Sequence, residues 1–216
     1  MRLFLVRHAK PLIEPGVCYG ATDVPCSDEA IEVAAKALLK TLLKTLPKNL
    51  AMISSPLSRC ERLAQVLCWL EPTFSYKTDQ RVAEMDFGAW ELQPWANIAA
   101  DELAAWTDAF AAYRCGGSGE STALFVQRVA QRLYESAQGG EDQIWITHAG
   151  VIRAVLWLAM QPYELFTALV SQRDPERTLS QLRAADWPAG EVAFGQLHLA
   201  HSGQEWAWPA AWPPSP

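Results

Sequence analysis

The sequence predicts an α/β fold in three layers, with helices on both faces of a mainly parallel sheet and a helical insertion over one edge. Three observations predict it. Short apolar runs at 3–6, 50–53 and 143–147 have the length of strands buried on both faces. Helical patterns fall between them, and strand–helix alternation is the signature of a parallel sheet with right-handed crossovers. Each run then hands over to chemically capable residues: Arg7-His8, Ser54-Ser55 and His148. In a parallel sheet these clusters share one edge, where open α/β sheets bind ligands.

Taken in order, the first strand ends at Arg7-His8, and residues 11–25 form a loop marked by Pro15-Gly16 and Tyr19-Gly20. Ser27 suits an N-cap, with Asp28 and Glu29 in the first turn and Ile31, Ala35, Leu38 and Leu42 at helical spacing up to Pro47. After the second strand, Ser55-Pro56 predicts a cap followed by proline at the first helical position, continued by Leu63, Val66, Leu67 and Leu70. Arg59 then stands in that first turn, beside free backbone N–H groups that suit an anion. Residues 73–77 read as an edge strand. The loop at 81–94 mixes Glu84, Asp86 and Glu91 with Phe87 and Trp90. A carboxyl beside apolar rings suits a general acid, although three loop acids are by default solvated.

Residues 97–114 are expected as one alanine-rich helix striped with Leu103, Trp106, Phe110 and Tyr113, and the stripe is expected to pack as core. Ser121 caps the next helix, which stops at Gly139-Gly140. Two helices in succession break the alternation, so about 84–119 reads as an insertion over the sheet, a candidate lid. A helix at 151–160 and a strand at 191–200 complete the domain. His198 and His201 are expected to be structural or exposed. The tail at 206–216 carries three tryptophans and four prolines and cannot be a regular helix.

Composition narrows the function. Of 216 residues half are hydrophobic and 19% charged, which fits one globular domain with a sizeable core. A net charge of −6 argues against a nucleic-acid coat or a polybasic membrane binder. Five cysteines form no Cys-x-x-Cys pair and, with the four histidines, no metal-ligand spacing. The odd thiol count and the lack of a credible signal peptide or membrane span predict a soluble cytoplasmic protein.

At the shared edge two histidines and two arginines are expected to meet. Such a set offers a phosphoryl group charge neutralisation and a nitrogen nucleophile. Leu5-Val6-Arg7-His8-Ala9, Ser54-Ser55-Pro56-Leu57-Ser58-Arg59, Glu84 ahead of Phe87-Gly88-Ala89-Trp90-Glu91, and Thr147-His148-Ala149-Gly150 together resemble the histidine phosphatase superfamily, which includes the cofactor-dependent phosphoglycerate mutases. The resemblance implies that His8 takes the phosphoryl group, that Arg7, Arg59 and His148 hold it, and that Glu84 is the proton donor, with Asp86 and Glu91 close in sequence as rivals. Tyr19 and Gly20 match a substrate-contact turn of the mutases. No metal or organic cofactor is implied, and the implied partner is a small phosphorylated substrate.

The sequence departs from the family's pattern, and the two absences among these departures favour a phosphatase. Ala9 stands where the family usually has glycine, and Lys10 where glutamate is common. Residues 11–17 lack the mutases' asparagine, and 97–119 offers only Arg114 for their carboxylate-reading arginine pair. Within the family, the stretch from Arg7-His8-Ala9-Lys10-Pro11 to Tyr19-Gly20-Ala21-Thr22-Asp23-Val24-Pro25 is similar to α-ribazole phosphatase-like members. That likeness would suit an aromatic leaving group under Trp90, Trp95 or Trp106. The expected activity is a metal-independent phosphomonoesterase of the histidine acid phosphatase type. The rivals are a mutase and an inactive phospho-ligand binding module.

Overall fold

The structure, a computed structural model, describes residues 2–45, 51–171 and 173–200. The expected helix stop at Pro47, His201 and the tail at 206–216 lie outside these residues.

The chain folds as expected into an α/β domain with a mainly parallel sheet. Strands β1 (Leu3–Arg7), β2 (Ala51–Ser54), β3 (Ser75–Thr78), β4 (Gln143–Thr147) and β5 (Leu197–Ala200) lie in the order β3-β2-β4-β1-β5. The first four are parallel, and β5 joins the β1 edge antiparallel. Side chains alternate across a strand, so β1 serves two cores. Phe4 and Val6 join Met52, Ile144 and Ile146 under α1 (Asp28–Thr45) and α2 (Ser58–Leu70), whose buried stripes include Ile31, Leu38, Leu63 and Leu67. Leu3, Leu5 and Trp145 face α4 (Thr122–Gly139) and α5 (Ala149–Ala159) through Val126, Val129, Leu133, Val151 and Val155. Truncating one of these buried leucines to alanine costs about 2–5 kcal/mol.

Local signals set most helix ends. Ser27 Oγ accepts from Ala30 N at 3.1 Å, and Ser121 Oγ accepts from Leu124 N at 3.3 Å. Gly140 closes α4 with φ 69°, a left-handed cap that glycine adopts without steric cost.

Four expectations need correction. Ser55 does not border α2 directly: the helix starts at Ser58, and Ser55 Oγ accepts from Leu57 N at 3.2 Å while also meeting His148 Nε2 at 2.8 Å. The first-turn N–H of Ser58 is not free for an anion, because Asp23 Oδ1 accepts from it at 2.8 Å. The helix at 97–114 is shorter, α3 (Ala100–Asp108). Beyond it the chain turns so that the Ala111 carbonyl accepts from Ala123 N at 2.9 Å and Phe110 is buried. The strand at 191–200 shrinks to β5, because Gly195 turns the preceding loop back onto Arg7 and His8. Two further helices, α6 (Tyr163–Ser171) and α7 (Pro175–Thr178), pack beside α4 and were not expected from the sequence.

Candidate active site

The site begins where β2, β4 and β1 end side by side. Ser55 N donates to Ile146 O at 2.9 Å and His8 N to Thr147 O at 3.0 Å, so the ladder runs one residue beyond each strand and fixes the polar residues in register. His148 lies between the other two clusters. Its ring centroid is 5.1 Å from that of His8.

His8 is buried, and its Nδ1 lies 2.6 Å from Ala9 O. A carbonyl only accepts, so Nδ1 carries the proton and Nε2 keeps its lone pair. Burial first, then the charge of Arg59, holds the imidazole well below the usual histidine range, so it is neutral at neutral pH. His148 is likewise held low by burial and Arg59. Arg59 Nε donates to its Nδ1 at 3.3 Å, which places the His148 proton on Nε2, facing Ser55 Oγ. Cys60 Sγ packs 3.4 Å from the same nitrogen, and burial pushes its thiol up, so it stays protonated.

Arg59 is fully buried, the second residue of α2. Its Nη1 donates to Thr22 O at 2.8 Å and its Nη2 to Gly20 O at 2.6 Å, while Tyr19 lies 5.2 Å from its guanidinium carbon. Arg7 donates Nη1 to Val192 O at 2.5 Å and stacks 3.6 Å from the Phe194 ring, and its buried Nε has no partner among the described residues. Neither arginine pairs with a carboxylate there. Two guanidinium groups beside two neutral imidazoles therefore make a buried cationic cluster in a chain of net charge −6. Burial raises the Tyr19 phenol against the pull of Arg7 and Arg59.

Gly20 supports the Arg59 side of the cluster. A Cβ there would lie 2.3 Å from Glu91 Oε1 and 2.4 Å from Met85 O, so only glycine lets the Tyr19–Gly20 turn dock.

The three loop acids separate by their partners. Glu91 accepts from Ala21 N at 2.7 Å, Thr22 N at 2.6 Å and Phe87 N at 2.9 Å, and also from the Thr22 hydroxyl. Asp86 accepts from Gly88 N at 2.8 Å and closes a turn. Glu84 alone of the three lines a cavity. Its Oε2 accepts from Gly150 N at 3.1 Å, two residues beyond His148, and its Oε1 accepts from Met85 N at 3.1 Å.

Arg128 of α4 is a residue that sequence reasoning missed. It donates to the carbonyls of Arg81 at 3.0 Å, Ala83 at 2.7 Å and Glu84 at 2.9 Å, with Glu120 holding its Nε at 2.7 Å. One guanidinium thereby pins the backbone that presents Glu84. The only trace in the sequence is an arginine two residues after Val126 on a buried helical stripe.

Phe194 packs over His8, its ring centroid 5.5 Å from that of the imidazole. Trp90 is buried in the core, whereas Trp95 and Trp106 line the cavity beside Glu84. Among the described residues no group of three or more histidine, cysteine, aspartate or glutamate side chains is placed to hold a metal ion. No helix there is long and apolar enough to cross a membrane.

The fold and this edge define an α/β protein with a cationic cluster at the carboxyl ends of its parallel strands. A family profile described as the histidine phosphatase superfamily (branch 1) matches residues 3–177, and the chain belongs to that superfamily. No curated protein matches the chain. Among solved structures, TTHB049 from Thermus thermophilus is 32% identical with a TM-score of 0.56, over 72% of this chain and 83% of that one. A putative alpha-ribazole-5'-P phosphatase from Escherichia coli is 25% identical with a TM-score of 0.62, over 77% and 83%. Mycobacterial glucosyl-3-phosphoglycerate phosphatase Rv2419c, in complex with VO3, is 26% identical with a TM-score of 0.62, over 77% and 86%. Superfamily and neighbours together support a phosphatase-type enzyme acting on small phosphorylated substrates.

Proposed function

We propose that the chain hydrolyses a phosphomonoester of a small metabolite through a phosphohistidine at His8, without a metal. The observation that carries this reading is the Nδ1–Ala9 O bond, which fixes the tautomer and leaves Nε2 as a neutral nucleophile beside two guanidinium groups unpaired with carboxylates. In the first step Nε2 attacks phosphorus, the P–O ester bond breaks, and Glu84 gives its proton to the leaving alkoxide. Arg7, Arg59 and His148 take up the charge that spreads over the equatorial oxygens. In the second step the Glu84 carboxylate takes a proton from water, which displaces His8 and releases inorganic phosphate. Tyr19 contacts the substrate, while Gly20 acts through the turn that holds Arg59.

Residues 84–119 form the cover of the leaving-group side in a single domain. The five thiols, all free, accord with a reducing cytoplasmic setting. The lack of the mutases' asparagine and arginine pair favours water over a second hydroxyl as acceptor.

The test is turnover of a panel that includes α-ribazole phosphate, glucosyl-3-phosphoglycerate and p-nitrophenyl phosphate in EDTA, with vanadate as inhibitor. Vanadate-sensitive release of phosphate is expected. Transfer to a second hydroxyl that needs a bisphosphate primer would favour the mutase. Phosphate binding without turnover would favour an inactive module.

A further inference from the structure

Residues 190–195 lead toward β5 and cross the edge where His8 stands. Glycines with positive φ bracket them, Gly190 at 103° and Gly195 at 64°, a backbone conformation that other residues rarely adopt. The strap between them is tied down along its length. Arg153 Nη2 donates to Gly190 O at 2.9 Å, and Arg7 Nη1 donates to Val192 O at 2.5 Å. Gly195 N donates to the carbonyls of Arg7 and His8 at 3.0 and 3.1 Å.

Phe194 is the strap's aromatic residue, and core packing does not account for its place. It is 37% exposed and belongs to neither core. Its ring centroid lies instead 3.6 Å from the Arg7 guanidinium carbon and 5.5 Å from that of the His8 ring. A guanidinium over an aromatic face is attracted by the ring's quadrupole and stacks on it. Phe194 also lines two cavities, of about 350 and 510 Å³, that neither Arg7 nor His8 lines. The ring thus stands between those cavities and an imidazole that is only 1% exposed.

We propose that Phe194 is a positioning residue for phosphoryl transfer: its ring holds the Arg7 guanidinium beside the nucleophile and shields His8 from water. The proposal rests on the phosphatase reading above and adds the strap to the parts that make His8 competent. Arg59 is held by the carbonyls of Gly20 and Thr22. Arg7 depends on Val192 O, the Phe194 face and the Tyr19 phenol. A guanidinium free to swing is poorly placed when charge builds on the equatorial oxygens. Water at His8 favours the protonated ring, which has no lone pair on Nε2 to attack with.

The test measures kcat/KM for p-nitrophenyl phosphate against pH in the wild type, Phe194→Ala, Phe194→Leu and Phe194→Tyr. The ester's own titration is common to all and cancels in the comparison. The acid limb reports protonation of the free enzyme's nucleophile. The groups facing His8 are Arg59 from α2, Arg7 from β1 and His148 from the end of β4, while Glu191, the strap's own acid, is exposed. Alanine removes both the face and the cover. In Phe194→Ala kcat/KM on the alkaline side should fall about tenfold. Its acid limb should move up by about half a pH unit or more, toward the usual histidine value. Leucine keeps an apolar cover without the face, so kcat/KM should fall while the limb moves less. Tyrosine keeps both and should restore both. Coincident acid limbs in the wild type and Phe194→Ala overturn the proposal. So does a rise in kcat/KM in that variant, which would mean that the ring only obstructs entry.

An NMR titration of the histidine rings reads His8 without turnover. An upward shift of His8 in Phe194→Ala, in a protein that hydrolyses no ester, would count against the phosphatase reading and uphold the shielding. Hydrolysis with His8 unshifted would do the reverse.

Discussion

Gly150 N donates to Glu84 Oε2 at 3.1 Å, and a Cβ at position 150 would lie 2.1 Å from Glu84 Oε1. The turn that follows His148 therefore orients the acid, and it does so only while residue 150 has no side chain. Gly150→Ala is expected to displace the carboxyl with little effect on the fold. Turnover of an alkyl phosphate should drop at least tenfold, with thermal melting nearly unchanged. Unaltered turnover would show that Glu84 need not sit against this turn.

Glu84→Gln removes the proton and keeps the shape. General acid catalysis is worth about 10²–10⁴-fold with a poor leaving group and little with nitrophenolate. The variant should lose far more activity on an alkyl phosphate than on p-nitrophenyl phosphate in the first step. Equal losses on both would remove Glu84 from the acid role, whereas Asp86→Asn and Glu91→Gln should show no such split.

Arg128 tests positioning separately from chemistry. Lysine at 128 keeps the charge but cannot span the carbonyls of Arg81, Ala83 and Glu84 together with Glu120. Arg128→Lys should lower kcat on alkyl phosphates about tenfold or more with a smaller change in KM, and should reproduce the leaving-group split of Glu84→Gln. A loss that is the same for every leaving group would indicate a purely structural arginine.

Much of the site was legible in the sequence. His8, Ser55 and His148 each follow an apolar run, and parallel pairing brings such ends together. Which acid lines the cavity was not legible, because Glu84, Asp86 and Glu91 differ only in the donors they meet. For Glu84 that donor is a backbone N–H 66 residues away. Ser55-Pro56 misled over the helix boundary: the hydroxyl accepts from Leu57 N and meets His148, and the helix begins only at Ser58. The alanine-rich run at 97–114 favours helix by composition, yet the bond between Ala111 and Ala123 bends the chain at Asp108. Arg128 carries no sequence signal distinct from a surface charge on a helix.

Stability should depend on pH through the two buried imidazoles. Both are held below the usual histidine range by burial and by Arg59. Each is neutral in the folded chain and binds a proton on unfolding below about pH 6.5. Their contribution is thus full above that pH and is lost as the pH falls toward the lowered folded values. The urea midpoint should drop between pH 7 and pH 5.5, with a slope approaching roughly 1.4 kcal/mol per pH unit for each histidine at the lower end. His8→Asn should make the dependence shallower. A midpoint flat across this range would contradict neutral, buried histidines.

The most direct test of the central claim is a rapid acid-free quench of the wild-type enzyme during turnover, followed by intact-mass and peptide mass spectrometry. The account predicts one added phosphoryl group, labile to acid and stable to base, on the peptide that contains His8, and none in His8→Ala. A wild-type enzyme that turns over in EDTA with no phosphoprotein, or with the group on His148 or on a serine, would contradict it.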